Sequence, residues 1–464
     1  MDFVHFPTWT YMLQWKIPHV GAMHRRPSSS ISPAFSIVKD RASSSLAFLP
    51  PLTVPQRGYT NLTASLHRCG MGVCTGVFML TGLALACCAV AAGWDRTFSV
   101  VDYGARGDGW TDDTKAFEAA WAAACGAGGS SASMVVPAWK VFLVGAVRFH
   151  GPCSPGRITV EIMGVITAPA AGAWREGTTD HWLMFEGVDR LTVTGNGVLD
   201  GKGWSWWARR CSDNDCVKAA PTALKLVNCN HLELSHFTSR DSPQMHITIG
   251  ASRAVTLQYL TITAPAYSRN TDGINIGQCD DVRITDSTIG TGDDCIAIIS
   301  GSRFVTVDNI TCGPGHGVSV GSLGKNGAWA AVEHIDVKNV RFINTQNGAR
   351  IKSWEGGEGY AESISFTNIE FVNVDNPILI DQFYRDGVTP GAVAIRNITY
   401  TNVKGTSSQQ TAVAFDCSKS GSCTEIHVNS MEIKGSFGQE TVARCQNAQG
   451  DTSGYVYPKI PCLS

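Results

Sequence analysis

With 464 residues, 44% of them hydrophobic and only 16% charged, the chain can bury a large core, which excludes disorder over most of its length. A formal net charge of −2 excludes the strongly basic surface expected of a nucleic-acid binder or of a protein held on an anionic membrane face. Near-neutrality still lets a few Lys and Arg residues gather in one groove and hold an acidic ligand.

Residues 1–70 are rich in Ser, Pro and scattered Arg, carry acidic residues only at Asp2 and Asp40, and show no apolar period. They read as an unstructured leader or an over-extended gene model. Residues 71–92 read as a signal peptide. The run from Met71 to Gly93 is uncharged, its centre (Val77 to Leu80, Leu83 to Ala86) is apolar, and it ends in the small residues Ala89-Val90-Ala91-Ala92. A single membrane anchor is the alternative, since the run is about long enough to span a bilayer. No stable membrane partner is expected unless that segment stays uncleaved. Residues 93–464 then form one domain. Twelve of the sixteen cysteines follow Ala92, a number that suits structural disulfides in a secreted protein, and the absence of any C-x-x-C pair leaves a structural zinc site without support.

The domain opens with Thr111-Asp112-Asp113-Thr114, a capping run before the Ala-rich stretch Lys115 to Ala124, which predicts a short helix covering one end of the core. From about residue 220 the pattern changes to short β-branched strands separated by Gly, Asn, Asp and Ser turns. One set comprises His246 to Ile249, Gly273 to Ile276, Cys295 to Ile298, Gly317 to Val320 and Arg350 to Lys352. A second set lies between them: Val282 to Ile284, Val305 to Val307, Ile335 to Val337, Ile364 to Phe366 and Ile426 to Val428. The alternation is the two-residue period of strands, and the self-similarity near 22 residues marks a solenoid. The expected fold is all-β: a right-handed parallel β-helix, a single-domain solenoid with a short N-terminal capping helix. A β-propeller is the alternative, but its blades repeat at about 40–50 residues.

The repeat also aligns ionisable groups. Asp272, Asp294 and His316 follow one another at steps of 22 residues, each two positions before the first strand residue of its coil (Ile274, Ile296, Val318). Adjacent strands lie about 4.8 Å apart, so a vertical row of Asp, Asp and His is expected, with Asp293 beside Asp294. Beyond an insertion around Gly324 to Ala331, Arg350 and Lys352 flank Ile351 on the same face, a fork and a point charge suited to a substrate carboxylate. Taken singly, an Asp in Asn-Thr-Asp-Gly is turn chemistry, an Asp pair is solvated or binds calcium, and strand cations decorate an edge. Five ionisable groups in near-register on four coils favour a site instead. Crowded carboxylates push one pKa up, which keeps one protonated as an acid and another ionised as a base.

At these residues the chain resembles the polygalacturonase family of pectin-degrading glycoside hydrolases, and most closely its plant members. The motifs are Asn270-Thr271-Asp272-Gly273, Gly292-Asp293-Asp294-Cys295, Gly315-His316-Gly317 and Arg350-Ile351-Lys352, supported by Phe98 to Gly109, Gly197 to Gly201 and the pair Trp206-Trp207. The resemblance spans roughly residues 97–460. It implies hydrolysis of α-1,4-galacturonosyl linkages with inversion, in a secreted cell-wall enzyme whose partner is pectin. It implies Asp293 as general acid, Asp272 and Asp294 as holders of the attacking water, and His316 as the group that tunes the acid. Arg350, Lys352 and Tyr384 would bind a galacturonate, and Asn270 would support the turn. Inverting enzymes usually separate acid and base by about 6.5–9.5 Å, more than stacked coils suggest. The resemblance also implies a Cys295–Cys312 disulfide. No cofactor or metal is expected, nor a nucleic-acid partner, and the chain is expected to act as a monomer. Two sequons downstream of the apolar run, Asn309-Ile-Thr311 and Asn397-Ile-Thr399, are candidate glycosylation sites. Arg385 departs from the plant pattern, where a Cys follows the tyrosine, and so puts in doubt a disulfide among Cys417, Cys423, Cys445 and Cys462. The alternative functions are an exo-acting, rhamnogalacturonan- or xylogalacturonan-directed hydrolase, or a catalytically impaired wall-binding β-helix.

Overall fold

Parallel pairing dominates the architecture. Among the described residues, eleven strands of one sheet pair in sequence order from Val147–His150 to Val442–Gln446, each parallel to the next. A second, nineteen-stranded sheet wraps the remaining sides of the coil, with long bent strands such as Glu358–Val374. Sequential parallel strands joined by crossovers wind right-handed, so the chain is a right-handed parallel β-helix. This computed structural model describes residues 96–174, 180–207, 220–385, 391–421 and 423–464. The leader and signal-peptide expectations for residues 1–92 lie outside them.

The core follows from strand alternation. Ile247, Ile274, Ile296 and Val318 stack in one column and Ile249, Ile276, Ile298 and Val320 in the next, all 0% exposed. Burying such a side chain contributes roughly 1.5–3 kcal/mol. Coil length is set by the turns. The steps Ile274 to Ile296 and Ile296 to Val318 are 22 residues each, whereas Val318 to Ala349 takes 31 because the Gly324 to Ala331 insertion adds a turn around Lys325–Gly327. The coils carrying the aspartates therefore have the least slack.

At one bend Asn309, Asn339, Asn368 and Asn402 all take left-handed φ between 51° and 55°. Asn tolerates this conformation better than other side-chain residues. Their amides stack: Asn339 Nδ2 donates to Asp308 Oδ1 at 2.7 Å, Asn368 Nδ2 to Asn339 Oδ1 at 3.0 Å, and Asn402 Nδ2 to Asn368 Oδ1 at 2.7 Å. This explains why Asn recurs in the turns.

The capping helix spans Thr114–Cys125 and packs Ala116, Phe117, Ala120 and Trp121 over the first strands of both sheets. Its cap differs from the simple form expected. The Asp112 carboxylate accepts from Thr114 N at 3.0 Å, while buried Asp113 accepts from Arg106 N at 2.8 Å and Gly107 N at 3.0 Å, tying down the preceding loop.

Disulfides join Cys125–Cys153, Cys295–Cys312, Cys417–Cys423 and Cys445–Cys462. Arg385 thus leaves all four C-terminal cysteines paired. The expected structural disulfides do not take every cysteine of the domain: among the described residues Cys229 and Cys279 are free and buried. Each sits in an inward turn with its sulfur near backbone carbonyls (Cys229 with Val227 O at 3.4 Å, Cys279 with Gly277 O at 3.3 Å), and burial pushes both thiols up, Cys279 to about 11. They behave as small core residues.

Candidate active site

Three successive turns at one edge of the eleven-stranded sheet bring the carboxylates together. In the first, Asn270 takes φ +56°, and the buried Thr271 hydroxyl donates to Ser268 O at 2.9 Å and accepts from Gly292 N at 3.0 Å, strapping this turn to the next. Close stacking there demands glycine. A Cβ on Gly292 would meet Ser268 O at 1.9 Å, and one on Gly317 (φ +86°) would meet Asn347 O at 2.2 Å. Cys295 and Ile296 both lie in the core, which breaks strict alternation and leaves neighbouring Asp294 facing the cations outside it.

Asp294 is the best-partnered group of the site. Its Oδ1 accepts from Arg350 Nη2 at 2.5 Å and from Ser319 Oγ at 2.9 Å, its Oδ2 from Lys352 Nζ at 2.7 Å, and Arg350 Nε donates to Ser319 Oγ at 2.8 Å. All four residues are buried. Burial alone would raise the Asp294 pKa, but the charges of Arg350 and Lys352, with the hydrogen bonds, outweigh it and hold the carboxyl below its ordinary value.

Asp272 goes the other way. Burial, then the neighbouring charges of Asp293 and Asp294, push it well above the ordinary carboxylate range, with Lys352 opposing in part. Half-buried Asp293 accepts from Asp294 N at 2.9 Å and meets His316 Nδ1 at 3.0 Å through Oδ1. Two successive turns therefore set a carboxyl kept ionised, Asp294, beside one driven toward its protonated form, Asp272. That asymmetry is what acid–base chemistry needs. Asp293, Asp294 and His316 offer ligand atoms within 4.8 Å of one another. A metal there would have to compete with the two cations and the hydroxyl already on Asp294, so the donor set does not suit one.

The expected row of Asp272, Asp294 and His316 holds in backbone register, where Ile274, Ile296 and Val318 are partners. The side chains diverge from it: His316 turns to Asp293, and Asp294 to Arg350 and Lys352. Charge complementarity explains the difference. Arg350 and Lys352 form the floor beneath Asp294 rather than a free carboxylate clamp. Tyr384 lies with its ring centroid 5.1 Å from Lys352 Nζ and 5.3 Å from the Arg385 guanidinium carbon, and its N donates to Ser353 O at 3.2 Å. Arg385 thus packs on the tyrosine it follows. The sequon asparagines are exposed, with Asn309 Nδ2 donating to Asp286 Oδ1 at 2.7 Å and Asn397 Nδ2 to Ser363 Oγ at 3.1 Å.

Sequence reasoning missed Ser319 and Thr271. Ser319 pairs in register with Ala297 and with Arg350, a signal available once the insertion is counted out. His246, one coil before Asp272, is fully buried with Nδ1 2.8 Å from Ser239 Oγ; burial drives its pKa down to about 3, so it is neutral and structural.

Clustered carboxylates with opposed ionisation, set beside paired cations on a parallel β-helix, define an acid–base hydrolase of polysaccharides. The chain belongs to the glycosyl hydrolases family 28, whose family model matches residues 125–454. It is 42% identical over 378 residues to a probable polygalacturonase of Arabidopsis thaliana, covering 79% of this chain and 81% of that protein. It is 43% identical over 361 residues to a polygalacturonase of Persea americana, covering 76% and 77%. Among solved structures, an endo-xylogalacturonan hydrolase from Aspergillus tubingensis superposes with a TM-score of 0.68 at 26% identity, covering 77% of this chain and 100% of that one.

Proposed function

We propose that this glycoside hydrolase is a polygalacturonase that cleaves α-1,4-galacturonosyl linkages of pectin with inversion, acting as a secreted monomer in cell-wall modification. Family membership and the polygalacturonases at about 40% identity support the activity. The observation that carries the residue roles is the placement of half-buried Asp293, 3.0 Å from His316, next to Asp294, which Arg350 and Lys352 hold ionised. Asp293, oriented by His316, protonates the glycosidic oxygen. Asp294, held ionised, takes the proton of the attacking water, and Asp272 helps to position that water. Arg350 and Lys352 keep Asp294 charged and turn their remaining donors to the galacturonate carboxylate, with Tyr384 packed against that sugar and Asn270 shaping the turn.

The four disulfides among the described residues and the exposed sequon residues Asn309 and Asn397 support passage through an oxidising secretory route. N-terminal sequencing of the secreted protein should begin near Gly93, with residues 71–92 removed as signal peptide; a cytosolic protein retaining residues 1–70 would overturn this.

Release of reducing ends from polygalacturonate tests the activity. De-esterified polymer should be cut and fully methyl-esterified pectin should not, because esterification removes the charge that Arg350 and Lys352 recognise. Equal rates on the two would overturn the reading. The likeness to an endo-xylogalacturonan hydrolase makes xylose-substituted polymer the comparison substrate.

A further inference from the structure

An aromatic pair stands on the same wall as the aspartates, on the N-terminal side of them. Tyr267 is 75% exposed, five residues before Asp272, and meets the edge of Trp207 at 6.2 Å and 84°. The Trp207 ring and the backbone under Tyr267 are held in place. Trp207 Nε1 donates to Ser242 O at 3.2 Å, and Trp207 N donates to Gly203 O at 3.0 Å. Next to Tyr267, Ser268 is 0% exposed; its hydroxyl donates to Pro265 O at 2.6 Å and lies 2.7 Å from Thr271 Oγ1.

The turns stack continuously from this pair to the site, with Gly292 seated against Ser268 and Gly315 against the Asp293 backbone. Tyr267 is thus about one coil height, ~4.8 Å, from the turn of Asp293. Exposed Arg269 adds a cation to the same turn.

An exposed tyrosine on a fixed turn has only two side-chain torsions to lose and so gives up little conformational entropy when a ligand covers it. It also offers an apolar face with a polar tip to a partner that is part apolar and part wet. A sugar's C–H face and hydroxyls match that pairing, and a uronate adds the charge that Arg269 answers. No part of the acid–base machinery uses these residues.

We propose that Tyr267, buttressed by Trp207, is a sugar-stacking residue on the N-terminal side of the cleavage point, and that Arg269 pairs there with a galacturonate carboxylate. This rests on the polygalacturonase reading above. The substrate would then run from Tyr384 and Lys352, across Asp293, to Tyr267.

The test is steady-state kinetics on polygalacturonate, together with direct binding of the same polymer, for the full chain and three variants. Tyr267→Ala should raise KM about tenfold, the equivalent of ~1.4 kcal/mol, with kcat within about twofold, the pattern of lost uniform binding. Tyr267→Phe keeps the ring and should keep KM near wild type. Arg269→Gln should raise KM at low salt, and the difference should shrink at high salt as the charge is screened. If wild type cuts the polymer while Tyr267→Ala keeps its KM, or loses kcat alone, the subsite is wrong and the function stands. An Arg269→Gln KM that matches wild type at low salt overturns the carboxylate pairing. If wild type neither binds nor cuts the polymer, the polygalacturonase reading falls and the subsite with it.

Discussion

Asp294 and Arg350 meet at 2.5 Å although two coils of the helix separate them, and both are almost sealed from water, with side chains 2% and 9% exposed. Lys352 closes the other oxygen at 2.7 Å. Two buried cations thus share one carboxylate as their direct ion-pair partner. Truncating one partner of such a group typically costs about 3–5 kcal/mol, because the charge left behind has no solvent. Asp294→Asn and Arg350→Ala should each lower the denaturant midpoint markedly, and Arg350→Ala should weaken polygalacturonate binding as well. Wild-type midpoints in both would remove the account of the cleft floor.

The same contacts fix a pH dependence. Asp294 has a folded-state pKa below its unfolded value, so its contribution to stability is fully present above the ordinary carboxylate pKa of about 3.9. That contribution is lost as pH falls through the folded value. An unfolding series below about pH 4 should show wild type losing stability more steeply than Asp294→Asn.

Asp272 should behave in the opposite sense. Its folded pKa is raised by burial and by Asp293 and Asp294, so the folded state loses stability as pH rises from the ordinary value through the raised one. Asp272→Asn removes that penalty. At neutral pH it should raise Tm while turnover collapses, a stability gain at the expense of function. A Tm that falls, with activity kept, would contradict the assignment.

The Cys295–Cys312 bridge closes a separation of 17 residues across the turn that carries Asp293 and the turn that carries His316. In the chain-entropy model such a loop contributes about 3 kcal/mol. Replacing both cysteines by Ala should lower stability by about that amount, and non-reducing peptide mapping of wild type should recover the linked pair. Free thiols at both positions would refute it.

Much of this was legible because a solenoid turns sequence spacing into height. The equal steps Asp272, Asp294, His316 need only the period, and the inward columns of Ile and Val need only alternation. What the period could not supply was side-chain direction. Asp294 faces Arg350 and Lys352 because Cys295 and Ile296 both enter the core, and a longer coil hides that Ser319 and Arg350 share a register position. Hydroxyl struts such as Thr271 look like any turn residue until their partners are placed. Cys229 and Cys279 resemble bridge cysteines in number and context, yet pack as small core residues.

The most direct test of the central claim is Asp293→Asn on polygalacturonate, read as kcat and as substrate dissociation constant. Removing a general acid typically costs roughly 10²–10⁴-fold in rate. In Asp293→Asn kcat should fall by that order with binding nearly unchanged, and a double variant with Asp272→Asn should lose far less than the product of the two singles, because the carboxylates act as one unit. Near-native turnover in Asp293→Asn, or a loss confined to binding, would contradict it.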